Sequence, residues 1–427
     1  MLRHKTEQIL CGFASILTKG RRKSSDKKHS SVYSRHFKMS DIKYWVWYSL
    51  VAGVATRNDD ILSAFPDPEK LYSAGHNEIV NSGAVNSPRL KRILSTPISK
   101  AEEIVETCKR NGWYILSPES EDYPDDLRKL NDMPIVLYVD GDLSCVNKGV
   151  AIGVVGTRKP GNESIAIATK FSAQAAAAGA VIVSGGALGI DSAAHEGALL
   201  AKGKTVCVLG CGLGTDYLRE NEPLRREISK SGAVVTEYVP FAKASIYSFP
   251  SRNRIISGMS KGVLVVEAGE KSGSLITARR AAEQGKEVYA IPGSVLSTAY
   301  TGANKLISDG ARAVSSVEDM LRPYSVMYPD IINLKKIEEI SEKFKIPEVE
   351  EIQEKKKAEP PKEKKPLAEG LGKTVETVYA LFGNEPLHPD EISLMSGLPF
   401  SEVVSALFKL EFEDYIKQTD GKNYVLK

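Results

Sequence analysis

Between Val150 and Ile291 the chain repeats one pattern: a short apolar run, a glycine-bearing turn, then a helical stretch. The runs are Val150–Val155 (VAIGVV), Ala180–Val183 (AVIV), Thr205–Leu209, Ala233–Thr236, Val263–Val266 and Val288–Ile291. Such runs suit strands buried on both faces. Their alternation with helices predicts an α/β protein with a Rossmann-like, doubly wound, mostly parallel sheet. Ligands of these sheets collect at the carboxyl ends of the strands.

Three turns follow such strands. Gly156-Thr157-Arg158 precedes a helix expected over about Ser164–Ala178, and Ser184-Gly185-Gly186-Ala187-Leu188-Gly189 leads into a helix bearing Asp191 and His195. Ser272-Gly273-Ser274 opens a third helix. A helix N-terminus offers unpaired N–H groups and a positive dipole end to an anion. The glycines permit tight turns and close approach of a phosphate. Just upstream, Phe249, Arg252, Asn253 and Arg254 add an aromatic face and forked donors suited to phosphate. For Phe249, stacking on a base and packing in the core both stand. Either member of the Asn253/Arg254 pair is as suited to holding the loop by hydrogen bonds as to touching ligand.

The 427 residues suggest two or three domains, and a net charge of +3 makes any nucleic-acid surface a local one. Five cysteines without a CxxC pair fit a reducing cytoplasm; Cys207 and Cys211 read as core thiols, and no metal site is expected. Residues 1–38 read as a disordered or mis-translated extension, with Met39 as the natural start. Residues 39–112 read as a small helical domain, with helices at Ile42–Ala52, Pro68–Leu71, Glu78–Ser82, Pro88–Leu94 and Lys100–Asn111. The apolar run Tyr44–Ala55 is too short to span a membrane. Residues 113–325 hold the sheet. Residues 326–371, rich in Lys, Glu and Pro, read as a solvated linker. In 372–427, helices at Val375–Phe382, Pro389–Met395 and Ser401–Leu410 and a hairpin of Tyr415–Gln418 with Asn423–Leu426 predict a winged helix. Its third helix and exit carry Glu402, Glu411, Glu413 and Asp414 against Lys409. Phosphates repel that surface, so a protein-contact or dimer-stabilising role is expected of it, with weak DNA contact left to Lys417, Lys422 and Lys427.

Six blocks occur in order: VGTR, SGGALGID..AH, FP.RNRIISG, VVEA..KSGSLITA, A.EQGKEVYAIPG and G.N.LI.DGA. In these the chain resembles the DprA/Smf family, the DNA-processing proteins of bacterial natural transformation, closely over Val150–Leu321. The resemblance implies a single-stranded-DNA-binding homodimer that protects incoming strands and loads RecA recombinase onto them. A single-strand-binding protein is a further implied partner. It also implies a helical domain like a sterile alpha motif, and a DNA-backbone contact at Arg158. Two departures touch loop shape: Tyr217-Leu218 stands for the usual Tyr-Pro, and Gly302-Ala303-Asn304 for Gly-Thr-Asn.

An enzymatic reading competes. Asp191 and His195, four apart on one helix face, suit an acid/base pair, although an aspartate on the helix dipole with a packed histidine below is the favoured reading. Glu267 is the other candidate carboxylate, loosely placed like that of phosphoribohydrolases; it and Asp191 also suit a ribose. No Walker loop and no PGGxGTxxE block occur. The expectation is therefore a binder with no catalytic residues and no cofactor.

Overall fold

A computed structural model describes residues 42–343, 365–368, 370–383, 386–419 and 423–427. The expected N-terminal extension, the Met39 start, the middle of the charged segment and Lys422 lie outside the described residues. The chain divides into two compact units at Phe344/Lys345.

Among the described residues, the first unit begins with six helices: α1 (Ile42–Ala52), α2 (Asp59–Ala64), α3 (Pro68–Ser73), α4 (His76–Asn81), α5 (Ser87–Ser95) and α6 (Ile98–Arg110). Prolines set two of the starts: Pro68 follows the Asp67 cap, whose side chain accepts from Glu69 N, and Pro88 follows the Asn86 cap, which accepts from Arg89 N. Helix α1 is buried through Trp45, Trp47, Tyr48 and Val51. The indole of Trp47 donates to Thr96 O (2.8 Å) and that of Trp45 to Glu119 (3.1 Å). These side chains share one apolar core with Leu116, Tyr138 and Ile255 of the sheet region. The helical segment expected as a separate domain is thus packed into the same unit as the sheet. Arg89 of α5 turns back to donate to Arg57 O (3.3 Å).

The sheet contains β1 (Tyr114–Leu116), β2 (Leu137–Gly141), β3 (Val150–Val155), β4 (Ala180–Ser184), β5 (Thr205–Val208), β6 (Ala233–Thr236), β7 (Gly262–Val265), β8 (Glu287–Ala290) and β9 (Arg312–Ala313). Their spatial order is β1-β2-β6-β5-β4-β3-β7-β8-β9. The pairs β1/β2 and β2/β6 are antiparallel; from β6 to β9 every pair is parallel. Helices α7 (Asn162–Ala177), α8 (Ile190–Leu200), α9 (Glu222–Ser231), α10 (Ser248–Met259), α11 (Ser274–Glu283), α12 (Thr301–Ser308), α13 (Val317–Met327) and α14 (Lys335–Lys343) connect and cover it. Strand alternation sends Ala151 and Val155 of β3 into the core under α10 and α11, and Ile152 and Val154 into the opposite core under α7 and α8. Winding proceeds from β3 to one side as far as β6, then returns to place β7 on the other side of β3. The carboxyl ends of β3 and β7 therefore form the topological switch point.

Two expectations are corrected here. The Asn253/Arg254 pair, expected on a loop, lies in helix α10, whose first turn tolerates Pro250 because a missing N–H costs nothing there. The linker expected from residue 326 starts later. Ile332 and Ile337 are buried in the α7/α8 core, and Gln174 of α7 donates to Ser341 of α14 (2.6 Å). The exposed Lys335, Lys336, Glu338 and Glu339 of α14 form a solvated face opposite that apolar one.

The second unit has α15 (Lys373–Leu381), α16 (Pro389–Ser396), α17 (Phe400–Phe412) and an antiparallel hairpin of β10 (Ile416–Gln418) and β11 (Tyr424–Leu426). Leu387 pairs with Tyr424 in an isolated antiparallel bridge beside the hairpin. Val378, Ile392, Val403, Leu410, Ile416 and Leu426 make its separate core. This is the winged helix expected from the sequence.

Candidate nucleic-acid interface

A cleft of about 310 Å³ opens at the switch point. One wall is the turn after β3, Gly156-Thr157-Arg158, and the other is the entry to α11, Ser272-Gly273-Ser274. Helix α10 roofs it with Phe249, Arg252, Asn253 and Ile256, and Asp191 reaches in from α8. Thus three of the segments singled out in the sequence converge on one place.

The β3 turn is held from behind. Thr157 N donates to Glu267 O (2.9 Å), Gly161 N donates to the Glu267 carboxylate (3.3 Å), and Ile190 N donates to Thr157 O (3.2 Å). These bonds leave Arg158 exposed at the rim. Its guanidinium carbon lies 5.0 Å from the centroid of the Phe249 ring, within cation–π range. Tyr217 packs against the same ring at a centroid distance of 5.2 Å. Phe249 is half-buried, with the rest of its surface open. On the facing wall the Ser272 and Ser274 hydroxyls share a hydrogen bond (2.8 Å), and Asn253 Nδ2 donates to Gly273 O (3.5 Å). The cleft thus offers an exposed cation, an aromatic face and a helix N-terminus within one small volume.

Several predicted site residues lie elsewhere, each for a physical reason. Arg254 does not face the cleft. It is buried, bonded to Glu237 (2.6 Å), with Asp132 at 3.5 Å. Residues two apart on a helix point in opposed directions, so Arg252 and Arg254 cannot serve one ligand together. Arg252 does line the cleft, but it is buried, and its Nη1 donates to Val208 O. Burial holds its guanidinium below the ordinary value, with Asp191 opposing. Ser184, Gly185 and Gly186 are buried and line no part of the cleft. The Ser184 hydroxyl donates to Val154 O (2.6 Å). Gly186 and Gly189 adopt φ of +66° and +83°, the left-handed region that favours glycine, so they shape the turn.

The candidate acid/base pair does not form. Burial and the nearby Arg252 charge pull the His195 pKa down to about 3. His195 Nδ1 lies 2.7 Å from Thr205 Oγ1, which itself donates to Ile182 O, so Nδ1 carries the proton. Asp191 accepts from Ala187 N (3.3 Å) at the start of α8, and burial raises its pKa while Arg252 and Arg158 lower it. Glu267 is buried, and its carboxylate is engaged with the backbone of the β3 turn. Cys207 is a core thiol, pushed up to about 12 by burial, and Cys211 accepts from Thr215 Oγ1 (3.1 Å). Among the described residues, no helix is long and apolar enough to cross a membrane.

Sequence reasoning missed the ring stacked on Phe249. Tyr217 had been weighed only as half of a variant dipeptide; its partnership with Phe249 spans the β5 loop and α10, a contact no local pattern encodes. Asn304, in the other variant loop, bonds both Gly293 O (3.0 Å) and Gly293 N (3.1 Å), while Ala303 is buried. The methyl at 303 therefore fills core, and the asparagine keeps the loop closed.

The fold and cleft together define a Rossmann-like protein with a phosphate-suited edge, joined in one chain to a winged-helix domain. Residues 114–325 match the family model of DNA recombination-mediator protein A, and residues 361–422 match that of the DprA winged helix domain. The chain is 37% identical over 254 residues to DNA processing protein DprA of Bacillus subtilis (strain 168), covering 60% of this chain and 86% of that one. It is 33% identical over 333 residues to protein Smf of Escherichia coli (strain K12), covering 78% and 82%. The X-ray structure of DprA from Streptococcus pneumoniae aligns with a TM-score of 0.58 at 33% identity, covering 66% of this chain and 98% of that one. The chain belongs to the DprA/Smf family of DNA-processing proteins.

Proposed function

We propose that this chain binds single-stranded DNA in the switch-point cleft, protects incoming strands during DNA uptake and loads RecA recombinase onto them. It acts in the cytoplasm as a homodimer, with a single-strand-binding protein as a further partner, and carries out no catalysis of its own. The observation that carries the reading is the exposed Arg158 guanidinium stacked on the open Phe249 ring, opposite the N-terminus of α11. A duplex buries its base faces, whereas a single strand presents both a phosphate for Arg158 and a base for an aromatic platform. The engaged Glu267 and the neutral, buried His195 weigh against the phosphoribohydrolase alternative.

The winged helix fits a protein contact better than a groove reader. Its third helix exposes Phe400, Val404, Phe408 and Phe412, four apart, to 51%, 43%, 70% and 80%. We assign this stripe to the homodimer, with the same stripe of a second copy as occupant, since a row with a period of four on one helix is self-complementary about a two-fold axis.

The test is fluorescence anisotropy of labelled oligo-thymidine and of the matching duplex, at two salt concentrations, for wild type and Arg158→Ala. Salt-sensitive preference for the single strand that falls in the variant supports the reading. Absence of single-strand binding in both proteins overturns it.

A further inference from the structure

At the opposite edge of the sheet lies a second cleft, of about 560 Å³, which the switch-point site does not use. Lys261 and Lys286 stand one residue before β7 and β8, and because Gly262 pairs with Glu287 the two lysines emerge side by side. Both reach Asp126, at 2.6 Å and 3.2 Å, and Lys129 reaches the same carboxylate at 2.6 Å. Asp126 is buried, while Lys129 leaves 71% of its side chain in solvent. Three ammonium groups thus share one carboxylate, and two of them, those of Lys129 and Lys286, line the concave, polar cleft. The other acids nearby are already engaged: Glu283 with Arg280 (3.2 Å) and Asp132 with Arg254 (3.5 Å). Arg57 borders the same cleft. Although burial alone raises it, the Asp126 carboxyl is held well below the usual carboxylate range by these lysines, and Lys286 is lowered by burial and by its lysine neighbours against the pull of Asp126.

Helix α11 joins the two clefts. Its first residue, Ser274, lines the switch-point cleft, and Arg280 and Glu283 of its last turn line the lysine cleft. At 1.5 Å per residue the separation along the helix is about 9 Å to Arg280 and about 14 Å to Glu283, a few nucleotides of extended strand. Arg279, on the same helix, is exposed between them.

We propose that the lysine cleft at the amino edge of the sheet is a second phosphate site, which takes the backbone of a single strand that leaves the switch-point cleft along α11. Asp126 fixes the three lysines, and Lys129 and Lys286 supply the charge that a phosphate neutralises. The inference rests on the single-strand reading above, and oligonucleotide length separates the two.

The experiment compares labelled oligo-thymidine of about 4 and about 16 nucleotides, lengths that bracket common single-strand footprints, against wild type, Lys129→Gln/Lys286→Gln and Lys286→Arg. The expected result is unchanged short-oligomer affinity in the double variant, with long-oligomer affinity weakened several-fold. Its salt slope falls by about 1.4, for two lost phosphate contacts at about 0.7 each. Lys286→Arg retains wild-type binding, which shows that charge rather than folding is read out. Wild-type long-oligomer affinity and slope in the double variant overturn the proposal, as does an equal loss on both lengths. If the site instead serves free phosphate, inorganic phosphate binds wild type and not the double variant while both oligomers bind each protein alike, which also overturns the strand path. Loss of short-oligomer binding in wild type strikes the single-strand reading itself.

Discussion

The Arg158 guanidinium and the Phe249 ring lie face to face at 5.0 Å, one on the turn after β3 and the other in the first turn of α10. Neither residue is placed by its own element alone: Glu267 anchors the turn, and Tyr217 backs the ring. Stacking of a base on an aromatic ring is worth about 1–3 kcal/mol. Phe249→Ala should therefore weaken oligo-thymidine binding roughly 5- to 150-fold, and Arg158→Ala should weaken it while flattening the salt dependence. The double variant should lose less than the sum, because the two side chains touch. Anisotropy titrations of all four proteins measure the cycle.

Arg254→Ala should destabilise the fold by about 3–5 kcal/mol, the cost of leaving Glu237 buried without its partner. Calorimetry should show a lowered Tm, and the binding of the remaining folded molecules should be unchanged, since Arg254 lines no part of the cleft. A drop in affinity at unchanged Tm would instead make Arg254 a ligand contact.

His195 sets a pH dependence. Its folded pKa of about 3 is depressed from its ordinary value, about 6.5 in the unfolded chain. Between these values the unfolded chain binds the extra proton, so stability rises with pH. The His195 contribution is complete above about pH 6.5 and declines as pH falls toward the folded value. Subtracting the Tm–pH curve of His195→Gln from that of wild type cancels the opposing contribution of Asp191, whose pKa is raised by burial. The difference should slope upward with pH below about 6.5; a flat difference would count against the buried neutral imidazole.

Phe408→Glu with Phe412→Glu should convert a homodimer into monomers, read as a halved mass by light scattering, and should leave short-oligomer affinity unchanged. A retained dimer would move the contact to another face.

Much of this was legible because buried parallel strands announce themselves. VAIGVV and AVIV leave no polar position for solvent, and the turns after them mark the ligand edge. The first helix was read at Ile42–Ala52 and lies there. By contrast, α2 (Asp59–Ala64) went unread, since six residues with only Ile61 and Leu62 buried carry too little periodicity. Arg252 and Arg254 part company for a different reason: Arg252 lines the cleft and Arg254 does not. In a loop their adjacency suggests a shared target; in a helix it sends them apart. What decides between loop and helix is Ile255, Ile256 and Met259 packing on the sheet, a tertiary fact.

Gly185 stands beside Arg252, and a methyl group there would collide with the guanidinium, whose carbon would lie 2.6 Å away. Alanine at 185 therefore requires the buried guanidinium to shift away from Val208 O, so the side chain at 252 sets what position 185 can hold.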